Sequence, residues 1–460
     1  MRRRLSPLCN AILALLCLPL GLHEISWAAE LKETWHVEGG RGTAPELVCP
    51  RSRRPSPPPP SQPSDMAPPD AEELAALETI PDRSGATEPL PVLALKDKTP
   101  PAIAIWGDSH TAAGFFSEQL LDSIGLAQDD AAPSFIPPTV SRPGVRLPLR
   151  KSCRGGPWQT DLAYTKGSSG AQFGRALARA ENTGPGAYLW LDFRRGALTG
   201  NLKELEILFT LPDKNARAIV KITIDDRETK TFRLSQEHSR ILIKPKKPFA
   251  TAKLTVESGS LFLDGFVPTY ADSPKLLLDT LSIPGATARA WKTIDPTFLR
   301  HWGATRPYDL AFLQYGTNEG NSSTFNLQSY RDTLRESLRG FRASYPDTTC
   351  LLIGPTDRGV LVRRTGKKRK KNTESKNLLF YSRRHYEINQ AQAEIGKEFG
   401  CQFWSWQRAM GGPGSIYRWQ RAKPPLANSD LVHLTKSGYQ ESARRFEENV
   451  QLAESLGFTD

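Results

Sequence analysis

Five short apolar runs, separated by long stretches of mostly helical or alternating character, constrain most how this chain folds: residues 103–106, 276–283, 310–314, 350–354 and 402–406. Each run is continuous rather than alternating, and each is bounded by Gly, Pro or polar residues. That is the pattern of strands buried on both faces of a parallel sheet. Residues 115–124, 327–344, 378–399 and 437–456 read as the accompanying helices. The expected architecture is a three-layer α/β/α, flavodoxin-like open sheet.

One long stretch breaks this rhythm. Between residues 145 and 270 the segments 187–193, 204–211, 218–225, 229–234, 240–243, 252–257 and 260–266 alternate apolar with polar residues. Turn residues separate them at short intervals, as in a β-sandwich. The sequence therefore predicts a β-rich domain at 145–270, inserted into an α/β domain formed by 101–144 and 271–460. Placing a substrate is its expected role, with a purely structural elaboration as the alternative.

The front of the chain has a different character. Arg2, Arg3 and Arg4 precede an apolar stretch broken by Pro7 and Pro19, and Ser26-Trp27-Ala28 offers small residues where a signal peptidase cuts. Residues 1–28 are expected to be an export signal, with an uncleaved anchor as the alternative, and the mature protein to be secreted or periplasmic. Residues 29–100, with Pro55-Ser56-Pro57-Pro58-Pro59-Pro60, read as a largely disordered Pro-rich linker with a short helix near 70–77.

Losing the three Arg and one Glu of residues 1–28 lowers the formal charge from +12 to +10. A basic exported chain suits a polyanionic envelope surface. No nucleic-acid-binding signature accompanies the charge, so nucleic acid is not an expected partner. The run Arg363-Arg364-Thr365-Gly366-Lys367-Lys368-Arg369-Lys370-Lys371 could contact an anionic wall polymer, or be a solvated loop without a partner. Cys49, Cys153, Cys350 and Cys401 remain after the leader, enough for two disulfides. Cys350 and Cys401 open two apolar runs and pair if those runs are neighbouring parallel strands. Cys49 with Cys153 then follows by elimination, and four buried thiols are the alternative. No spacing suggests a metal site.

The chemistry-bearing residues fall at the predicted strand ends, where an open α/β sheet presents its ligand site. Gly107-Asp108-Ser109-His110 follows the first strand, so a tight turn exposes the Ser109 hydroxyl near a helix N-terminus. Far downstream, Asp430-Leu431-Val432-His433 places an Asp three residues before a His. Ser109, His433 and Asp430 are candidates for nucleophile, base and base-orienter. Gly285, in Ile283-Pro284-Gly285-Ala286, and Asn318, in Gly316-Thr317-Asn318-Glu319, lie at two further strand ends. With the Ser109 N–H they form a candidate three-donor oxyanion hole. Tyr315 and Trp419 are candidate stacking platforms for a sugar, whereas Trp106 reads as core.

These four blocks, Gly107-Asp108-Ser109, Gly285, Gly316-Thr317-Asn318 and Asp430-Leu431-Val432-His433, resemble in order those of the SGNH (GDSL-type) hydrolases. His110 departs from the pattern, since many members carry Leu there. The Gly-Asp-Ser-His start, the β-rich insertion, the export signal and Met410-Gly411-Gly412-Pro413-Gly414-Ser415 further resemble the peptidoglycan O-acetylesterases. The resemblance implies a carboxylic ester hydrolase that removes O-acetyl groups from a cell-envelope polysaccharide, most of all peptidoglycan. It implies no cofactor and a carbohydrate-binding-like insert. An O-acetyltransferase using the same serine is the first alternative, and a non-catalytic polysaccharide-binding protein the second.

Overall fold

The computed structural model describes residues 31–39, 46–49, 66–75, 89–95, 99–165, 172–303, 307–363 and 377–458. The leader at 1–28, the Pro-rich run at 55–64 and the basic residues at 364–371 lie outside the described residues.

Six parallel strands form the central sheet: β1 (Ala102–Gly107), β2 (Ala131–Ala132), β3 (Leu276–Thr280), β4 (Leu310–Gln314), β5 (Thr349–Ile353) and β6 (Gln402–Trp404). They lie in the order β6-β5-β4-β1-β3-β2. Short helix α1 (Ser109–Ala112) leads into α2 (Phe115–Ser123). Helices α3 (Thr317–Asn321), α4 (Leu327–Ser344), α5 (Phe380–Glu398) and α6 (Lys436–Val450) complete the layers.

The continuity of the apolar runs has a direct cause. Ala104, Trp106, Ala311, Leu313 and Leu352 face one side of the sheet, against Leu334, Phe341, Ile388 and Ile395 of α4 and α5. Their neighbours Ile103, Ile105, Leu310, Phe312 and Ile353 face the other, against Phe116, Leu120, Phe446 and Val450 of α2 and α6. Alternate side chains therefore enter different cores, which is why the runs are continuous and apolar. The helix expected at 437–456 breaks at Gln451, whose φ of 53° ends α6 and starts the short helix Leu452–Leu456. The two-residue edge strand β2 is too short to give a sequence signal.

The inserted domain is a β-sandwich. One sheet orders Leu31–Val37, His238–Pro245, Leu202–Thr210, Phe262–Tyr270, Ala178–Asn182 and Trp158–Leu162. The other orders Glu228–Leu234, Ala218–Ile224, Thr251–Gly259, Ala187–Asp192 and Lys151–Gly155. Ile207, Phe209, Val220, Ile222, Leu254 and Val256 belong to the core between them.

Leu31–Val37 corrects the expected linker. It pairs in parallel with His238–Pro245, because Trp35 and Val37 alternate with exposed neighbours and bury against the sandwich core. The segment ahead of the α/β domain thus completes the sandwich. Leu47, Leu74 and Leu93 are also buried, and Ala71–Ala75 is helical, opened by reciprocal bonds between Asp70 and Glu73. Both disulfides form: Cys350–Cys401 joins the starts of neighbouring β5 and β6, and Cys49–Cys153 ties the leading segment to the sandwich.

The two domains share a core instead of meeting through a linker. Phe173, Ala176 and Leu177 of the insert pack in the same apolar cluster as Trp106 and Trp291. The Trp106 indole N–H donates to the Arg175 carbonyl at 2.7 Å, and Thr293 Oγ1 donates to the Ala163 carbonyl at 2.9 Å. The Arg175 guanidinium lies 5.6 Å over the Tyr308 ring.

Candidate active site

All six strands run the same way, so β1, β3 and β4 deliver their following loops to one rim of the sheet. Gly107 ends β1 where nothing larger fits: a Cβ there would stand 2.4 Å from Thr111 Oγ1 and 2.7 Å from Gln314 Oε1. Asp108 then caps α1, its Oδ1 accepting from the His110 N–H at 2.9 Å. Gln314 Oε1, at the end of β4, accepts from the Asp108 N–H at 3.1 Å and locks the turn to the neighbouring strand. Ser109 emerges half-buried at the first position of α1.

Ser109 Oγ stands 3.0 Å from His433 Nε2, and His433 Nδ1 stands 2.7 Å from Asp430 Oδ2. With its proton on Nδ1, directed at Asp430, the imidazole presents Nε2 as the acceptor for the Ser109 hydroxyl. Asp430 Oδ1 also accepts from the Val432 and His433 N–H groups at 2.9 and 3.0 Å. The intervening Leu431 has a φ of 56° and is fully buried. That left-handed turn, unfavourable for a leucine, lets the Asp430 side chain reach back to His433.

The electrostatics follow from these bonds. The hydrogen bond to Asp430 is the largest influence on His433 and raises its pKa, against the effect of burial. Burial works to raise the Asp430 carboxyl, but its bonds from His433 and the two backbone N–H groups outweigh it and hold the pKa below the ordinary value. Asp108 is fully buried, and that burial pushes its carboxyl up to about 6. His110 stacks beside His433, with ring centres 5.6 Å apart, and burial holds its pKa well below the usual histidine range. It sits within 3.3 Å of Thr356 Oγ1 and of the Tyr439 hydroxyl, which explains a His where an apolar residue would otherwise fill the space.

Gly285 follows β3 in a turn with a φ of 85°. The Ile283 N–H donates to the Gly107 carbonyl at 2.9 Å, so this loop runs beside the Ser109 turn. The Asn318 amide Nδ2 donates to the Ala286 carbonyl at 2.9 Å, which fixes the side chain against the Gly285 loop and leaves its second N–H. A residue whose role the sequence did not disclose strengthens this join. Glu319 accepts from the Ala288 N–H at 2.9 Å through one oxygen and from the Gly316 N–H at 3.1 Å through the other. It staples the Gly285 loop to the start of α3. Burial pushes its carboxyl up to about 7, against the effect of those two bonds. Its place beside Asn318 was the available signal.

No protein-family model matches this sequence, and no curated protein sequence matches it. Among solved structures, one described as a peptidoglycan O-acetylesterase in action is 20% identical over 83% of this chain and 96% of its own, with a TM-score of 0.55. The chain shares the fold of that esterase. More distant matches include a family two carbohydrate esterase from Cellvibrio japonicus, 11% identical over 67% of this chain and all of its own at a TM-score of 0.26. A putative GDSL-like lipase from Parabacteroides merdae is 16% identical over 39% of this chain and 74% of its own, at 0.27.

Within this fold two expectations from the sequence fail. Tyr315 is only 4% exposed and Trp419 only 5%, so neither offers a ring to a sugar. Tyr315 belongs to the apolar core with Tyr330 and Ile388. Trp419 donates its indole N–H to the Met410 carbonyl at 2.9 Å. Both flank site motifs in sequence, but their side chains turn inward. Trp106 is fully buried, as expected. Among the described residues the exposed rings are Phe380 and Tyr386 on α5, each 43% exposed. Among the described residues no helix is long and apolar enough to cross a membrane, and no cluster of potential metal ligands occurs.

Proposed function

We propose that this chain is an exported serine esterase that removes O-acetyl groups from a cell-envelope polysaccharide, peptidoglycan above all. The observation that carries the reading is the hydrogen-bonded line from Ser109 Oγ through His433 to Asp430 at the strand-end rim. The structural likeness to a peptidoglycan O-acetylesterase and the β-sandwich insert support the substrate.

In this mechanism His433 Nε2 takes the Ser109 proton as Oγ attacks the acetyl carbonyl. Asp430 holds the ring in place and stabilises the imidazolium. The developing oxyanion accepts hydrogen bonds from the Ser109 and Gly285 N–H groups and from the free N–H of Asn318. Collapse breaks the ester C–O bond, and the sugar oxygen leaves with the proton from His433. An acetyl-Ser109 intermediate remains. Water, deprotonated by His433, attacks it and releases acetate. Acetyl offers little apolar surface, so selectivity comes from contacts with the sugar and its substituents.

The test offers the full chain O-acetylated peptidoglycan, acetylated xylan and an aryl acetate, and measures free acetate with Ser109→Ala as control. The reading predicts serine-dependent release from peptidoglycan. Release from xylan alone contradicts the substrate, and acetyl transfer to an added oligosaccharide without free acetate contradicts hydrolysis.

A further inference from the structure

The loop after β5 carries a cation that the triad does not use. Arg358 borders a cavity of about 480 Å³ together with Val360, Leu361, Phe380, Tyr381 and the triad residue Asp430. Its guanidinium lies 3.8 Å over the centre of the Tyr381 ring, so the ring fixes its plane. Nε and Nη1 are shielded from solvent, and among the described residues neither has an acceptor. An arginine that served only packing would direct these N–H groups to carbonyls, as Arg342 does with the Phe399 and Thr348 carbonyls. Leaving charged donors unpaired is costly, and an acceptor held in the adjoining cavity relieves that cost.

Asp430 does not fill that role. Its oxygens already accept three hydrogen bonds, from His433 Nδ1 and the Val432 and His433 N–H groups. Burial is the largest influence on Arg358 and opposes its charge, while Tyr381 and Asp430 favour it and Arg384 opposes it. Arg384 adds a second cation to the same face of α5, 4.2 Å over the exposed Phe380 ring. It is already committed, donating to the Gly320 and Ser322 carbonyls. The cavity therefore joins a free planar cation to exposed aromatic surface directly beside the triad.

We infer that Arg358, held flat on Tyr381, binds a carboxylate carried by the polysaccharide close to the acetylated sugar, with Phe380 receiving the adjoining apolar groups. The guanidinium fork matches a carboxylate, whereas a neutral acetylated glycan has nothing to pair with it. The inference rests on the esterase reading and deepens it, since the carboxylate would orient the sugar whose acetyl group meets Ser109. Two sources supply such a group in envelope polymers: the stem peptide or lactyl arm of a muramoyl unit, and a uronic acid.

The test measures binding, so it does not depend on turnover and fails separately from the esterase reading. Calorimetry on the full chain compares deacetylated muropeptides and an oligogalacturonate, each against the same ligand with its carboxylates converted to amides. Either the native muropeptide or the native oligogalacturonate is expected to bind about tenfold or more tighter than its own amidated form, and whichever shows the difference identifies the source. Arg358→Gln should erase that difference, and Arg358→Lys, which keeps the charge but loses the fork, should retain part of it. Equal affinity of native and amidated forms for both ligands overturns the inference. A difference that survives Arg358→Gln, with circular dichroism unchanged from the parent chain, overturns it as well.

Discussion

The α/β domain and the sandwich treat buried polar groups differently. In the sandwich such groups mostly hold turns together. Asp225 Oδ1 accepts from the Ala250 and Thr251 N–H groups, and Asn182 bonds the Leu261 N–H and the Gly259 carbonyl. Asp264 is an exception, fully buried, with burial pushing its carboxyl up to about 7. At the strand-end rim of the parallel sheet, His385 Nε2 and two Arg358 nitrogens have no partner among the described residues. The sandwich spends most such groups on its own backbone; the α/β domain leaves these nitrogens unpaired among the described residues, two of them on an arginine that borders the same cavity as Asp430. Uncommitted polar atoms in a well-packed fold point to chemistry.

Substitutions on the two sides should therefore separate activity from stability. Ser109→Ala is expected to have the largest effect, lowering acetate release on the order of 10⁶-fold with an unchanged melting temperature. Asp430→Asn comes next, at about 10³–10⁴-fold in kcat. It also moves the pH profile. His433 must be neutral to act as base and its pKa is raised by Asp430, so activity should rise with pH along a limb above the ordinary histidine value of about 6.5. Removing the carboxylate should shift that limb to lower pH, as read from kcat/KM on an aryl acetate.

Much of this was legible in the sequence because parallel strands and site residues leave local marks. Continuous runs such as 310–314 exist because both faces are covered, and Ser109, Gly285 and Asn318 each sit just beyond such a run. The structure brings the loops that carry them to one rim. What stayed hidden was orientation and long-range pairing. Tyr315 and Trp419 lie beside site motifs in sequence, yet their rings turn into the cores. Leu31–Val37 looked like linker because its partner strand lies some 200 residues away. Arg358 and Glu319 carry no motif of their own; only the surrounding loops give them a role.

Two smaller effects sharpen the contrast. Glu319→Gln keeps the shape of the staple but replaces one accepting oxygen with an amide nitrogen. It should reduce kcat by less than the roughly 10²–10³-fold typical of losing an oxyanion donor, with KM nearly constant. Asp225→Ala should leave kcat on an aryl acetate alone. By stranding the Ala250 and Thr251 N–H groups it should cost about 1–3 kcal/mol of stability, read as a lower denaturation midpoint. A large activity loss in Asp225→Ala, or none in Glu319→Gln, would break the division between the domains.

The most direct test of the account is to quench the enzyme during turnover of an aryl acetate and map acetylation by peptide mass spectrometry. The account predicts one acetyl group on the peptide containing Ser109, absent in Ser109→Ala and longer-lived in Asp430→Asn. Continued acetate release by Ser109→Ala, or an acetyl group trapped on a different residue during turnover, would contradict it.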